Sequence, residues 1–208
     1  VESLSCHATF VHPTQMSHPA GEDHVLVPLK EVDVMKIVEM FREDPDSVHR
    51  AMPWLSRNEP IGPQIASFIV DVSSGPNASN YHHWLIRENV GGGYLGIIGF
   101  DVVRFRTPEQ QRTRRGIHWN LGYWIAPEER RHGLATASIN AMISVARQCG
   151  VDVVELMADP RNEGGVRTIL SAVERYDGFP SEVERWVTSD DGNDVLYVSY
   201  WITTGGIR

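Results

Sequence analysis

The stretch NLGYWIAPEERRHGLATASIN, residues 120–140, points most directly to the architecture of this chain. In its first half, Leu121, Tyr123 and Ile125 fall on one face and Trp124 on the other. This alternation is typical of a β-strand. Its second half carries two arginines, a histidine and a glycine, followed by small helix-forming residues. The stretch therefore predicts a strand that leads directly into a helix beginning after Pro127.

The start of this helix has the features of an anion site. The first N–H groups of a helix have no intrahelical partner, and the helix dipole favours negative charge there. Gly133 and Ala135 leave room for a ligand to approach the backbone, while Arg130, Arg131 and His132 add positive charge. The pattern favours a pyrophosphate site at the helix N-terminus. The alternative is a solvated helix start, because the preceding Glu-Glu pair also complements the dipole.

Hydrophobic periodicity predicts the elements on both sides of this stretch. Strands are expected at residues 24–30, 81–89, 93–105, 116–127, 151–159, 180–190 and 194–204, and helices at 31–44, 47–60, 60–75, 128–150 and 162–179. Residues 106–115 are expected to form a long polar loop. The order predicts an α+β fold: a single domain over residues 25–208, with a mixed, mostly antiparallel central sheet flanked by helices. Residues 1–24 are polar and aperiodic, and we expect them to form a flexible arm.

Composition limits the classes of partner. The 208 residues include 19 Lys and Arg against 27 Asp and Glu, a net charge of −8, which argues against a nucleic-acid partner. No apolar run has the length of a membrane span, so no membrane association is expected. Cys6 and Cys149 lie far apart in the sequence, which argues against a disulfide framework and favours the cytoplasm.

The glycine run before the third predicted strand offers a second interpretation. Gly91, Gly93 and Gly96 match a literal G-x-G-x-x-G. A dinucleotide-binding fingerprint requires this pattern to open a helix after a strand, whereas here it opens another strand. The run is therefore interpreted as a hairpin turn.

The order of several motifs resembles that of the GNAT superfamily of acetyl-CoA-dependent N-acetyltransferases, and most closely its RimJ/RimL branch of ribosomal-protein N-acetyltransferases. The resembling parts are MPWL (52–55), HWLIREN (83–89) with GGGYLGIIGF (91–100), LGYWIAPEERRHGLAT (121–136), VELMADPRNEGGVR (154–167) and GF (178–179). The resemblance extends over residues 24–204. It implies a GNAT-like domain that transfers acetyl from acetyl-CoA, as co-substrate, to a primary amine, either a protein N-terminus or a small molecule.

The resemblance also implies roles for single residues at the acetyl-CoA site. Trp124, Ile125 and Ala126 would offer backbone groups to the pantetheine arm where the strand splays from its neighbour. Asn162 would bind the pantetheine or help place the thioester. The pyrophosphate would lie against Arg130, Arg131, His132, Gly133, Leu134, Ala135 and Thr136. The alternatives are that Trp124 and Ile125 are core residues and that Asn162 is a helix N-cap.

Acetyl transfer requires removal of a proton from the amine and protonation of the leaving thiolate. Many relatives carry Glu at the position of Asn120, and asparagine cannot act as a base. His118, two residues earlier on the same strand face, is therefore the predicted base, with Asn120 orienting the amine. Tyr176 is the predicted acid, its alternative being an aromatic residue packed at a helix end. Gly165 stands where relatives carry a serine.

Trp54 and His83 are the predicted acceptor-binding residues. His82 alternates with His83 on a strand, so only one of the two can face the site. The histidines lack the spacing of a metal site, and no metal is expected. Because the usual carboxylate and serine are missing, a non-catalytic acyl-CoA-binding or sensor module of the same fold remains the competing hypothesis. The sequence allows a homodimer.

Overall fold

The structure is a computed structural model and describes residues 12–73, 81–103, 105, 107–188 and 192–205. The strands are β1 (His18–Pro19), β2 (His24–Pro28), β3 (Tyr81–Glu88), β4 (Tyr94–Val102), β5 (His118–Ile125), β6 (Val153–Ala158), β7 (Phe179–Pro180), β8 (Arg185–Thr188) and β9 (Asp194–Thr203). The helices are α1 (Val34–Phe41), α2 (Pro45–Ala51), α3 (Ile61–Ser73), α4 (Pro108–Thr113), α5 (Leu134–Gln148) and α6 (Glu163–Arg175). Short 3-10 helices cover Pro13–Gln15, Glu31–Asp33 and Pro127–Glu129.

One mixed sheet organises the domain, in the order β1-β2-β3-β4-β5-β6-β9-β7, with β8 paired to β9. The pair β5–β6 is parallel, and the other strand pairs among the described residues are antiparallel. A parallel pair needs a crossover, and α5 provides it between β5 and β6. The predicted α+β fold, with a mostly antiparallel sheet flanked by helices, is confirmed.

Strand β5 separates two hydrophobic cores, as its alternation predicts. Trp119, Leu121 and Ile125 belong to the core beneath α5 and α6. Trp124 points to the opposite core, which α1, α2 and α3 form over the other face of the sheet. The polypeptide at the end of β5 is therefore held firmly from both sides, and the residues that follow it start from a fixed position.

The prediction of a flexible arm is wrong for residues 12–24. His18 and Pro19 pair with β2, and Ala20 is fully buried. The indole N–H of Trp84 donates a hydrogen bond of 2.9 Å to the carbonyl of Met16. Periodicity cannot find a strand of two residues, and the residues before it are held by contacts distant in sequence. The remainder of the predicted arm, residues 1–11, lies outside the described residues.

The expected loop at 106–115 contains helix α4, which is a second correction. Thr107 is its N-cap: its side chain accepts a hydrogen bond of 3.2 Å from the N–H of Gln110. Pro108 occupies the first helical turn, where its missing N–H costs nothing. Residue 106 is not among the described residues. Among all the residues that the structure describes, no helix has the length and apolar character needed to span a membrane.

Candidate active site

A gap opens in the sheet where β5 and β6 diverge. Their parallel pairing runs from His118↔Val153 to Leu121↔Leu156 and stops there, although β5 continues to Ile125 alongside β4. The N–H of Ala126 donates to Leu95 beyond the end of this antiparallel ladder. Since the backbone groups of successive strand residues point to opposite sides, those of Tyr123 and Ile125 face the gap.

A cavity of about 630 Å³ lies at this gap. It is bounded by α2, the end of β5, the following loop and the first turns of α5 and α6. Nine residues predicted for the acetyl-CoA site line it: Trp124, Ile125, Arg130, Arg131, Gly133, Leu134, Ala135, Thr136 and Asn162. The other two predicted residues do not line it. Ala126 is buried in the core formed by α1, α2 and α3, and His132 is exposed.

The loop before α5 forms the narrow end of this cavity, and it is longer than predicted. Helix α5 begins at Leu134 rather than after Pro127, because Arg131 and Gly133 adopt left-handed backbone conformations with φ of 67° and 81°. The first helical bond runs from Ala137 to Gly133. The N–H groups of residues 134–136 are therefore left without intrahelical partners beside the cavity, an arrangement suited to an anion.

Arg130 connects β5 to α2. Its Nε donates to the carbonyl of Ile125 at 3.0 Å, and its other nitrogens reach Asp44 at 2.8 Å and the hydroxyl of Ser47 at 2.7 Å. Burial alone would raise the pKa of Asp44, but the hydrogen bonds from Ser47 and Arg130 outweigh it and lower that pKa. The guanidinium of Arg130, predicted to bind the pyrophosphate, is thus engaged by protein groups, and it fixes the wall of the cavity.

Two further arginines, which sequence reasoning missed, line the cavity. Arg50 comes from the end of α2 and Arg167 from the second turn of α6. With Arg131, and with Arg130 held by Asp44, they bring the arginines of the lining to four, against the carboxylate of Glu129, among the described residues. No local motif contains these residues, because only the packing of α2 and α6 around the gap brings them together.

Asn162 caps α6 and also lines the cavity. Its Oδ1 accepts a hydrogen bond of 3.0 Å from the N–H of Gly165. A Cβ atom at position 165 would lie 2.6 Å from Nδ2 of Asn162, so any other residue there would require the Asn162 side chain to shift.

A second, smaller cavity of about 60 Å³ adjoins the first, and Ala51 and Tyr123 line both. It brings together the two predicted acceptor residues, Trp54 and His83, with Asp101, which sequence reasoning missed. Trp54 is half exposed, and its ring lies 4.7 Å from that of Phe68.

Phe68 in turn contacts His83, with ring centroids 4.9 Å apart. His82 points to the other face of the sheet and packs on Trp119, as the alternation of β3 requires. Only His83 of the histidine pair therefore faces the cavity.

The geometry contradicts the prediction that His118 is the general base. His118 lies at the start of β5, about 20 Å along the strand from Ile125. It is buried between Phe105 and Trp201, and neither ring nitrogen has a hydrogen-bond partner among the described residues. Burial lowers the pKa of His118 to about 4. His118 is therefore a core residue, and its strand position alone could not reveal this.

Tyr176 does not line either cavity, which contradicts its predicted role as the acid. Its hydroxyl donates to Oδ1 of Asn140 at 2.9 Å, and the guanidinium groups of Arg147 and Arg175 lie over its ring. It is the helix-end aromatic of the alternative interpretation. Asn120 also lies outside both cavities, and its side chain donates to the carbonyl of Glu155 at 3.4 Å.

Tyr123 is the tyrosine that does reach the cavities. Its hydroxyl is buried and makes no hydrogen bond to the described residues. Burial raises the pKa of Tyr123, and the nearby Thr168 offsets part of this rise. Within the described ranges, no cluster of three His, Cys, Asp or Glu side chains could hold a metal ion.

Comparison with solved structures shows the same fold in several acetyltransferases. The Microcin C7 self immunity acetyltransferase MccE, solved with acetyl-CoA and AMP, is 13% identical, with a TM-score of 0.68 over 88% of this chain and 94% of its own. An acetyl transferase of Salmonella typhimurium that modifies the N-terminal serine of ribosomal protein L7/L12 is 11% identical, with a TM-score of 0.67 over 90% and 99%. RimJ of Mycobacterium smegmatis, solved with CoA-disulfide, is 15% identical, with a TM-score of 0.65 over 93% and 90%.

At 11% to 15% identity, these likenesses show a shared fold. A comparison of the sequence with curated proteins found no match. The family model described as "Acetyltransferase (GNAT) domain" matches residues 24–172, which is more than half of the chain and includes the residues that line both cavities. The chain therefore belongs to the GNAT acetyltransferase family.

Proposed function

We propose that this protein is an N-acetyltransferase that moves the acetyl group of acetyl-CoA to a primary amine. The observation that carries the proposal is the large cavity at the β5–β6 gap, which continues into a smaller cavity with a carboxylate. An elongated donor with an anionic end fits the first, and the amine of an acceptor fits the second. The two meet at Ala51 and Tyr123, where transfer would take place.

The donor site would use three kinds of contact. The backbone groups of Tyr123 and the N–H of Ile125, whose carbonyl already accepts from Arg130, would bind the amides of the pantetheine arm, as a neighbouring strand would. The loop at Arg131 and Gly133 and the free N–H groups of α5 would bind the pyrophosphate. Arg50 and Arg167 would supply charge complementary to the phosphates.

The transfer needs donors for the charge that develops on the thioester. As the amine attacks, negative charge develops on the carbonyl oxygen, and a backbone N–H aimed at the gap can stabilise it. The leaving sulfur then needs a proton. Tyr123 lines both cavities, and its buried hydroxyl, which makes no hydrogen bond to the described residues, would serve as this proton donor in place of Tyr176.

The acceptor is either a protein N-terminus or a small amine. The names of RimJ- and RimL-like neighbours support a protein N-terminus, whereas MccE is a self-immunity enzyme. The second cavity admits only the end of a molecule, because about 60 Å³ holds an amino group with a few attached atoms. The rest of the acceptor would lie over the half-exposed Trp54.

Calorimetry and a transfer assay test the proposal together. We expect acetyl-CoA to bind, and thiol release to be seen with at least one member of a panel of peptides with free N-termini and small amines. The same peptides with blocked N-termini are the control and should be inactive. Absence of acetyl-CoA binding at millimolar concentration would contradict the proposal. Binding without thiol release for any amine would favour the non-catalytic acyl-CoA module.

The cytoplasmic location and the homodimer expected from the sequence stay predictions. Gel filtration with light scattering would test the dimer.

A further inference from the structure

The second cavity contains a carboxylate whose surroundings the acetyl-CoA site does not explain. Asp101 lies on β4, directly opposite Asn120 of β5 in the antiparallel register. Asn120 is the position where the resemblance leads one to expect a carboxylate. Among the described residues that line this cavity, Asp101 is the acidic one.

The strands around Asp101 are shaped to keep its carboxyl group accessible. Gly99 and Gly122 face each other across β4 and β5 and line the cavity floor. A Cβ atom at Gly99 would lie within 2.2 Å of the ring of His83, so glycine is what allows this imidazole to lie over the sheet. A Cβ atom at Gly122 would meet nothing, which leaves space beside the carboxylate.

The charge states of this pair suit a proton acceptor. Burial lowers the pKa of His83 to about 4, so that its ring is neutral at pH 7. Burial raises the pKa of Asp101 to about 6, although 46% of its side chain is exposed. Both observations are consistent with a carboxyl group at the floor of an open cavity, in contact with solvent through the mouth and enclosed by protein elsewhere.

The groups that face Asp101 from the packed elements are mostly uncharged. His83 of β3 approaches it, with Nε2 at 3.7 Å from Oδ1. Strand β5 places Asn120 opposite Asp101 in the register and Tyr123 in the lining of the cavity, and α2, α3 and the segment between them contribute apolar side chains. Within the described residues of the cavity, no cation neutralises Asp101 permanently, so its charge is available to an ammonium group.

We propose that Asp101 is the general base of the transfer, a role that rests on the proposed function. The acceptor enters as an ammonium, and one oxygen of Asp101 takes a proton from it to leave the neutral amine. The nitrogen lone pair then forms the C–N bond to the thioester carbonyl, and the C–S bond breaks. The second amine proton ends on the sulfur, and Asp101 returns its proton to solvent, so that one proton is released for each acetyl group transferred.

The test compares Asp101→Asn with Asp194→Asn, which removes an exposed strand aspartate elsewhere in the sheet. For the unmodified protein, kcat/KM is measured from pH 5 to 9 with the best amine of the panel. It should rise with pH, with a midpoint near 6. Asp101→Asn should lower kcat/KM at pH 7.5 by about 10²-fold or more and remove this rise, with acetyl-CoA affinity unchanged by calorimetry. Asp194→Asn should behave like the unmodified protein.

A second variant keeps the test independent of folding defects. Asp101→Glu keeps a carboxylate at the same position on β4, and it should recover at least tenfold of the kcat/KM that Asp101→Asn loses, together with the rise with pH. If the unmodified protein is active and Asp101→Asn keeps its full kcat/KM and its pH profile, Asp101 is not the base. If the unmodified protein binds no acetyl-CoA or acetylates no amine, the proposed function itself fails.

Discussion

At the scale of single residues, Tyr123 and Tyr176 differ in what their hydroxyl groups do. The hydroxyl of Tyr123 is buried and makes no hydrogen bond to the described residues, whereas that of Tyr176 donates to Asn140. Tyr123→Phe should lower kcat by about 10²-fold because it removes the proposed proton donor, without loss of stability. Tyr176→Phe should leave kcat unchanged and lower the free energy of unfolding by about 1 kcal/mol.

Urea unfolding and steady-state kinetics on the two variants separate these effects. A Tyr176→Phe variant with impaired turnover and a fully active Tyr123→Phe variant would reverse the assignment. Tyr176 was predicted because it is the candidate nearest to the tyrosine that the resemblance implies. The direction of the Tyr123 side chain, by contrast, depends on how α6 packs over β5.

At the scale of an element, helix α5 offers a matched pair of glycines. Gly133 precedes it with φ of 81°, Gly150 follows it with φ of 71°, and a Cβ atom at either position would meet nothing within 4 Å. Alanine at either site should therefore cost a similar 1–2 kcal/mol of stability, because an L-residue disfavours this conformation. Only Gly133→Ala should also weaken acetyl-CoA binding, by about tenfold, since it disturbs the loop of the pyrophosphate site.

Thermal unfolding and calorimetry check this pair, and equal acetyl-CoA affinity in both variants would argue against a phosphate site at this loop.

The strand–loop–helix order could be predicted here because β5 alternates and α5 is amphipathic. The late start of α5 could not, since the left-handed conformation of Arg131 has no signature in residue type. The helix in the expected loop did have a signal, the Thr107-Pro108 cap.

At the scale of the whole molecule, the sheet is completed by residues near the start of the described chain. A chain that begins at residue 12 keeps β1, and one that begins at residue 21 lacks it. We expect the shorter chain to be less stable by roughly 2–4 kcal/mol, because Trp84 loses both cover and the hydrogen bond to Met16. Urea unfolding measures the difference, and equal midpoints would show that this segment adds no stability.

The scale of the molecule also explains which site residues the sequence could reveal. Apart from Asn162, the residues predicted for the acetyl-CoA site follow one another in a single strand–loop–helix segment, so their order was visible as a motif. Asp101, Arg50 and Arg167 come from β4, α2 and α6, and only the closed fold brings them to the cavities. His118 shows the converse, because a residue with suitable chemistry at the wrong end of a strand looks no different in the sequence.

The divergence of β5 from β6 leaves the protein with an unfinished ladder, and a ligand that occupies the gap takes the place of the missing strand. Amide hydrogen exchange should record this. Without ligand, the amides of Tyr123 and Ile125 should exchange faster than that of Trp124, whose backbone faces β4. With acetyl-CoA the difference should disappear, and the melting temperature should rise, since a ligand at a hundred times its Kd adds about 2.7 kcal/mol to the folded state. The cell's supply of donor would then set not only the rate of transfer but also how long each copy of the protein survives.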